Sequence, residues 1–161
     1  MYRIWSGKPL SGEVGAIGPA PAQPGGPEVL IGGYSPAAIQ RVGRWGAGYI
    51  AGGAPPAQAR QGYEVALAAW KEAGREGTPR FVGASYFGLG EDARAKAGSY
   101  IRDYYSFTGP RADAIAIGLP ASAEAVKATI QAFTDVGTDE LILWPCIPEL
   151  DQVDRLAELV R

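Results

Sequence analysis

Two glycine pairs are the residues of this chain best suited to binding an anionic group. Gly32 and Gly33 are followed by Tyr34 and Ser35, and a second pair at residues 52–53 is soon followed by two prolines. Glycine lets a backbone approach a phosphate closely, and free amides at the start of a helix can donate to it. The Ser35 hydroxyl would add one more donor. The same glycines would also suit tight turns that bind nothing, so both interpretations stay open.

The other residues with reactive side chains give weaker signals. The chain has no histidine and one cysteine, which excludes a Ser-His-Asp or Cys-His system within it and leaves almost no zinc ligands. Cys146 is expected to be an inert small residue, and Trp144 and Tyr86 are expected in the core. Asp139 is expected in a solvated turn. Walker A and Rossmann motifs are absent, so the sequence assigns no catalytic residue and no metal site.

The elements that would position these residues alternate between strand and helix. Short apolar runs bounded by glycine or proline predict four strands, at residues 28–31, 48–51, 80–87 and 140–144. Helical spacing of apolar residues, together with Ser-Pro and Pro-Pro starts, predicts the helices. They are expected at residues 36–45, 56–73, 91–107, 122–136 and 148–160, with a short one at 113–117.

This order predicts an α/β fold of four parallel βα units. No hairpin signal separates the strands, and the strands are apolar throughout, as expected when both faces of a sheet are covered. Both glycine pairs then lie at strand carboxyl ends, where such folds bind ligands. Tyr100, Tyr104 and Tyr105 are expected to form the packing face of their helix. The last helix is expected to pack through Leu150, Val153, Ala157 and Val160.

Composition limits the remaining possibilities. The 161 residues fit one domain, with a Pro/Gly-rich extended segment at 1–27 before a regular region at 28–161. A net charge of −2 without any basic run argues against nucleic-acid binding. No apolar run is long enough to cross a membrane, and the first residues do not resemble a signal peptide. We therefore expect a cytoplasmic protein with neither a nucleic-acid nor a membrane partner.

Six segments of the chain are distinctive when taken together. They are residues 5–9 (WSGKP), 24–27 (PGGP), 31–38 (IGGYSPAA), 42–50 (VGRWGAGYI), 135–143 (DVGTDELIL) and 151–157 (DQVDRLA). In order and spacing, along nearly the whole chain, they resemble the carboxyl-terminal half of the luciferase-like monooxygenases. The family usually has Asp-Gly where this chain has Ala47 and Gly48.

The resemblance implies half of a (β/α)₈ TIM barrel and an oxidoreductase acting on a small organic substrate. Its cofactor would be a flavin such as FMN, used with oxygen, or the 8-hydroxy-5-deazaflavin coenzyme, used in hydride transfer. Nothing in the residues separates these cofactors. The residues expected along the phosphate or ribityl chain of the cofactor are Gly32, Gly33, Tyr34, Ser35, Gly52 and Gly53.

Half a barrel would leave two sheet edges unpaired and the inner side chains uncovered, and such surfaces promote association. The partner would be a second copy of the chain or a separate amino-terminal half. The family's first half supplies much of the flavin-ring pocket and most of the reacting groups. The alternative is therefore a non-catalytic remnant, or a half-barrel binding and oligomerisation module without activity of its own.

Overall fold

One four-stranded sheet organises the molecule. A computed structural model describes residues 1–161. The strands run parallel in the order β1-β2-β3-β4, so each strand neighbours the next one along the chain. The predicted α/β class with four parallel strands is confirmed. The strands are β1 Leu30–Gly32, β2 Gly48–Gly52, β3 Arg80–Phe87 and β4 Glu140–Pro145.

Helices connect the strands, and their bounds differ from the predictions at a few places. The predicted helix at 36–45 is interrupted at Gln40, and the helix predicted from 91 begins at 93 because Gly90 and Asp92 have positive φ angles. A 3₁₀ turn covers Ser106–Thr108. The helices are α1 Tyr2–Trp5, α2 Pro36–Ile39, α3 Arg41–Trp45, α4 Pro56–Glu72, α5 Ala93–Tyr104, α6 Arg111–Gly118, α7 Ala123–Asp135 and α8 Asp151–Val160.

The main core lies between one face of the sheet and the helices that follow β1 and β2. Tyr49 and Phe81 are fully buried side chains of this face, and the Tyr63 ring of α4 stacks on Phe81 at 4.4 Å between ring centroids. Gly43 lets α3 approach α4, because a Cβ at this position would lie 2.3 Å from the Ala69 carbonyl oxygen. Close packing of this kind accounts for the helical glycine.

The opposite face of the sheet is only partly covered. Side chains alternate along a strand, so Ile50 and its register partner Val82 point to the face opposite Tyr49. Ile142 is on the same face, because it pairs with the residue two positions after Val82. These residues belong to none of the apolar clusters that the helices form. Ile50 and Ile142 are half-buried, and Trp144 on the same face is 37% exposed. β1 and β4 each have one neighbouring strand only.

The segment predicted to be extended begins with a short helix, α1. The Tyr2 hydroxyl donates to the Trp45 carbonyl at 2.6 Å, and the Trp5 ring lies against Gly26. These aromatic contacts fold the first residues onto the later chain, a feature that the Pro/Gly content of the segment does not reveal. The boundary at residue 27 stays a prediction. None of the helices is long and apolar enough to cross a membrane.

The packing face of α8 was predicted wrongly. Leu150 and Val153 are 92% and 63% exposed, and Val160 is exposed as well. Gln152 is instead buried, accepting from the Leu89 amide at 2.9 Å and donating to the Leu89 carbonyl at 2.8 Å. Leu156 and Leu159, one and two turns further on, pack beside Leu89. The need to satisfy a buried backbone sets which face of α8 turns inward.

Candidate functional site

A cleft of about 360 Å³ opens at the carboxyl ends of the strands. Tyr34 from the loop after β1 and Gly53 from the loop after β2 form one side of it. Ser85 and Tyr86, near the end of β3, lie in its wall, and α6 contributes Arg111. Helix α7 contributes Thr129 and Phe133. The cleft thus joins loops that are about twenty residues apart in the sequence, as expected for neighbouring parallel strands.

The loop after β1 is shaped mainly by contacts within the protein. Gly33 has a φ of 139°, and a Cβ at this position would lie 2.7 Å from the Ala38 side chain, so the close turn requires glycine. Its carbonyl accepts from the Tyr49 hydroxyl at 3.2 Å. The Ser35 hydroxyl caps α2 by accepting from the Ala38 amide at 3.3 Å. Gly33 and Ser35 do not line the cleft.

The loop after β2 is more open. Gly53 has a φ of 64°, its amide donates to the Ala84 carbonyl at 3.2 Å, and a Cβ would meet only the edge of the Tyr86 ring at 3.5 Å. Gly52 faces open space. Its carbonyl accepts from the Tyr34 hydroxyl, which ties the two loops together. The structure therefore brings the two predicted glycine loops to one edge, with Gly53 and Tyr34 in the cleft wall and Gly32 and Gly52 outside its lining.

Helix α4 offers fewer backbone donors than the sequence prediction assumes. Pro55 and Pro56 have no amide hydrogen, and the Ala59 amide already donates to the Pro55 carbonyl at 2.9 Å. The Ala57 and Gln58 amides remain at the helix start without a partner inside the helix. Gln58 lines the cleft. Any ligand anion reached by this helix would therefore meet two backbone donors.

Two tyrosines, Tyr34 and Tyr86, line the cleft, and a third, Tyr105, contacts Tyr86 from behind the lining. The Tyr86 and Tyr105 hydroxyls lie 2.8 Å apart in a hydrogen bond, and burial raises the pKa of Tyr86, as does this bond. Burial also raises the pKa of Tyr34, with a further contribution from the nearby Tyr105. Tyr105 thus supports the cleft wall through Tyr86, whereas Tyr100 and Tyr104, expected to form a packing face, are exposed on α5. Their raised pKa values keep the Tyr34 and Tyr86 hydroxyls protonated at neutral pH.

Arg111 is the residue that sequence analysis missed. It is the first residue of α6, lines the cleft together with residues of both glycine loops, and forms no ion pair with a carboxylate. Its positive charge lowers the pKa of Tyr34, against the larger effect of burial. No motif surrounds it in the sequence, so only the folded arrangement identifies it. The cleft has no histidine and no carboxylate in its lining.

The remaining candidate residues have structural roles. Cys146 is buried, and burial raises the pKa of its thiol to about 11, consistent with an inert residue. Asp139 is not in a merely solvated turn, because its carboxylate accepts from the Phe81 amide at 2.7 Å. The Ser85 hydroxyl donates to the Tyr86 carbonyl at 3.2 Å while lining the cleft. Trp144 is not a core residue, since it lies on the partly covered face 5.3 Å from the Tyr86 ring.

Comparisons with known proteins place this geometry in a family. The chain matches the family model for luciferase-like monooxygenases over residues 2–161. A coenzyme F420-dependent secondary alcohol dehydrogenase, solved with an F420-acetone adduct, aligns with a TM-score of 0.68 and 16% identity over 99% of this chain. A coenzyme F420-dependent tetrahydromethanopterin reductase from Methanopyrus kandleri gives 0.61 and 14% over 99%. A riboflavin lyase, solved with modified FMN and riboflavin, gives 0.60 and 17% over 91%.

The chain corresponds to only part of these proteins. It spans 58% of the dehydrogenase, 58% of the reductase and 45% of the lyase. No curated protein sequence matches it significantly. The likeness to the solved structures establishes the fold, and the family match covers almost every residue. The chain therefore belongs to the luciferase-like monooxygenase family.

Proposed function

We propose that this chain supplies the phosphate side of a flavin or deazaflavin site in a luciferase-like oxidoreductase. The carrying observation is that Tyr34 and Gly53, from two successive βα loops, share one cleft with an arginine that has no carboxylate partner. Solved proteins of similar fold, whose descriptions mention coenzyme F420 or FMN, support the choice of cofactor.

The residues present fit one end of such a cofactor. The cleft joins a guanidinium, several hydroxyls and the amide of Gln58 at the start of α4 to apolar side chains, a combination typical of sites that hold an anionic group beside a hydrophobic body. Its volume lies at the lower end of the range for small-molecule sites. A bound flavin or deazaflavin would supply the hydride or oxygen chemistry. The chain would bind and orient the phosphorylated tail.

The proton-transfer groups of the reaction would come from outside this cleft. The titratable side chains in its lining are two tyrosines and one arginine. Because the pKa values of both tyrosines are raised, none of these groups is suited to general acid–base catalysis near pH 7. We propose that a second half-barrel covers the inner face and supplies them.

Either partner suggested by the sequence could close the sheet. A second copy would close it by pairing β4 of one chain with β1 of the other, and a separate amino-terminal half would pair with both edges. Mass measurement of the purified chain, alone and with that half, distinguishes these arrangements.

The test of the cofactor proposal is a titration with FMN and with the deazaflavin coenzyme, followed by quenching of cofactor fluorescence. We expect saturable binding of one of them, strengthened when a second half is present. If neither cofactor changes its fluorescence with the chain alone or with the partner half, the proposal is wrong.

A second candidate function is a binding module without catalysis of its own. The observation in its favour is the absence of any carboxylate or histidine in the cleft. It predicts that cofactor binds and dimers form, while no oxidation or reduction of bound cofactor follows when substrate candidates are added. Turnover by the purified chain would exclude it.

A further inference from the structure

We propose that a row of aromatic side chains carries oxidising equivalents from the cleft to the surface of α5, as successive transfers of one electron and one proton. Tyrosine and tryptophan are the aromatic side chains that lose a single electron most readily, and electrons cross fastest between rings in contact. The inference goes beyond the proposed function, because it concerns strong one-electron oxidants formed in the cleft and not the binding of a cofactor. The row is called the aromatic relay, and it consists of Trp144, Tyr86, Tyr105, Tyr104 and Tyr100.

The rings of the aromatic relay follow one another at contact distance. Between ring centroids, Tyr86 lies 5.3 Å from Trp144 and 6.1 Å from Tyr105. Tyr105 lies 4.9 Å from Tyr104, whose ring stacks on Tyr100 at 6.0 Å. All four separations fall within the range of contacting aromatic pairs. No step of the relay therefore requires an electron to cross other parts of the protein.

The two ends of the aromatic relay have different surroundings. Tyr86 lines the cleft, and Trp144 lies beside it on the partly covered face of the sheet. Tyr104 and Tyr100 are 55% and 44% exposed on α5 and lie outside the cleft lining. The relay thus leads from a place where an oxidant would damage the site to one that a reductant in solution can reach.

The central step depends on the hydrogen bond between the Tyr86 and Tyr105 hydroxyls, which lie 2.8 Å apart. A phenol that loses an electron becomes strongly acidic, so its proton must leave as well. Each hydroxyl can donate or accept. The Tyr86 phenoxyl radical can therefore take one electron and the phenolic proton from Tyr105, so that one O–H bond forms as the other breaks. Burial raises the pKa of Tyr86, so its proton leaves only together with an electron.

The other steps of the aromatic relay balance in the same way. The oxidant, which in a flavoprotein is a light-excited flavin or an oxygen-centred radical, takes one electron from Trp144 or Tyr86, and the proton passes to water in the cleft. Tyr104 then gives one electron to the Tyr105 radical and releases its proton to water, while the Tyr105 oxygen takes up a proton. A soluble reductant such as ascorbate returns one electron and one proton to Tyr104. The net reaction reduces the oxidant, oxidises the soluble reductant and leaves the protein unchanged.

The backbone fixes the residues on both sides of the central step. Tyr86 belongs to β3 and is the register partner of Trp144 on β4. The Tyr105 carbonyl accepts from the Thr108 amide at 2.8 Å and from the Thr108 hydroxyl at 2.7 Å. The two hydroxyls are therefore held together by the sheet on one side and by the turn after α5 on the other.

The other aromatic contacts of the protein form no such path. Phe81, which is not readily oxidised, stands between Tyr49 and Tyr63 in the main core. The Tyr2 and Trp5 rings lie 5.4 Å apart, but neither ring packs on a further tyrosine or tryptophan. The continuous row is thus particular to the cleft side of the molecule.

The experiment starts an oxidation at Trp144 and follows it without any flavin. The test protein is the full chain with Trp5→Phe and Trp45→Phe, because Trp144 is then the only tryptophan that is not buried. Azide radicals made by pulse radiolysis oxidise tryptophan in preference to tyrosine, and the indolyl and phenoxyl radicals absorb at different wavelengths. We expect the indolyl radical to decay and the phenoxyl radical to grow at one first-order rate, independent of protein concentration. Tyr86→Phe should abolish this phase.

Tyr105→Phe tests the central step. It keeps the ring but removes the hydroxyl that exchanges a proton with Tyr86, so the phenoxyl radical should still form and then remain on Tyr86. A nitroso spin trap followed by peptide mass spectrometry locates the radical. We expect the adduct mainly on Tyr104 in the test protein and mainly on Tyr86 in Tyr105→Phe.

Tyr2→Phe is the matched control, because it removes an exposed tyrosine hydroxyl outside the aromatic relay and should change neither measurement. Thermal unfolding of each variant verifies that it is folded. An unchanged first-order phase in Tyr86→Phe, an equal change in Tyr2→Phe, or undiminished labelling of Tyr104 in Tyr105→Phe would overturn the inference. Because the test contains no cofactor, a failed relay leaves the cofactor proposal standing, and a failed flavin titration leaves the relay standing.

Discussion

The loops after β1 and β2 have the same signature in the sequence, a glycine pair followed by proline, yet their glycines have different structural roles. In the first loop, Gly33 is required by its contact with Ala38, and Ser35 is occupied in capping α2. In the second, Gly53 adopts a left-handed conformation with room for a Cβ against the edge of the Tyr86 ring, and Pro55 starts α4 without a side-chain cap. The first loop is built for internal packing, and the second leaves room at the cleft.

The difference shows how a glycine should be interpreted in a βα loop. Glycine is needed either because a side chain would collide with the protein or because the backbone takes a conformation that other residues avoid. Both reasons apply to Gly33, and only the second applies to Gly53. Alanine substitutions at the two positions should therefore differ in their effect on stability.

The largest effect is expected for Gly33→Ala. The new methyl group would collide with Ala38 and the backbone would be strained at its positive φ, so we expect a loss of about 2–4 kcal/mol in the free energy of unfolding. Urea denaturation measures it. Gly52→Ala is the control, since its Cβ would meet nothing within 4 Å and the change should stay within about 0.5 kcal/mol. Equal effects at the two positions would contradict the assignment of Gly33 to packing.

Ser35→Ala should have the next largest effect. It removes the hydroxyl that accepts from the Ala38 amide and should cost about 1 kcal/mol, the usual value for a helix cap. The measurement is again the urea midpoint. Ser35→Asp, which preserves an acceptor at this position, should recover most of the loss. Failure of aspartate to do so would show that the hydroxyl has another role.

Gly53→Ala should destabilise the protein less. The strain of a left-handed alanine, about 1–2 kcal/mol, is partly offset by the reduced entropy of the unfolded chain, which leaves about 0.7 kcal/mol. Because the added methyl group lies beside the Tyr86 ring at the cleft, FMN affinity should fall more than stability does. A loss of stability as large as that of Gly33→Ala would remove the distinction between the loops.

Tyr34→Phe should have the smallest effect on stability. It deletes the hydroxyl that donates to the Gly52 carbonyl and links the two loops, but this bond is accessible to water, so we expect a loss of about 0.5 kcal/mol. Differential scanning calorimetry can measure the shift. Tyr49→Phe, which removes the more buried bond to the Gly33 carbonyl, serves for comparison and should cost more. A larger loss for Tyr34→Phe than for Tyr49→Phe would show that the hydrogen bond of Tyr34 contributes more to stability than that of Tyr49.

Local patterns in the sequence predicted much of the fold. Strand β3 was predicted with the bounds that the structure shows, because an apolar run stands between clear breakers, and Ser122 caps α7 as expected by accepting from the Ala125 amide. The position of the two glycine loops also followed, since parallel strands align their carboxyl ends. All of these depend on residues close together in the chain or on a regular topology.

Long-range contacts could not be predicted in this way. The inward face of α8 is set by Gln152 binding to Leu89, a partner 63 residues away, so helical spacing alone selected the wrong residues. Arg111 lacked any motif, and only the packing of α6 brings it to a cleft that the loops after β1 and β2 also line. The roles of Gly33 and Gly53 differ because of their neighbours in space, which a shared sequence signature does not specify.

The contact between Gln152 and Leu89 has a consequence for biosynthesis. During translation, the Leu89 backbone emerges well before the glutamine that satisfies it, and the interval of 63 residues corresponds to roughly 3–13 s at common elongation rates. Throughout that interval its amide and carbonyl must remain hydrated. The turn after β3 can therefore dehydrate and reach its final form only after the ribosome has delivered α8, which makes closure of this region a late event in the life of the nascent chain.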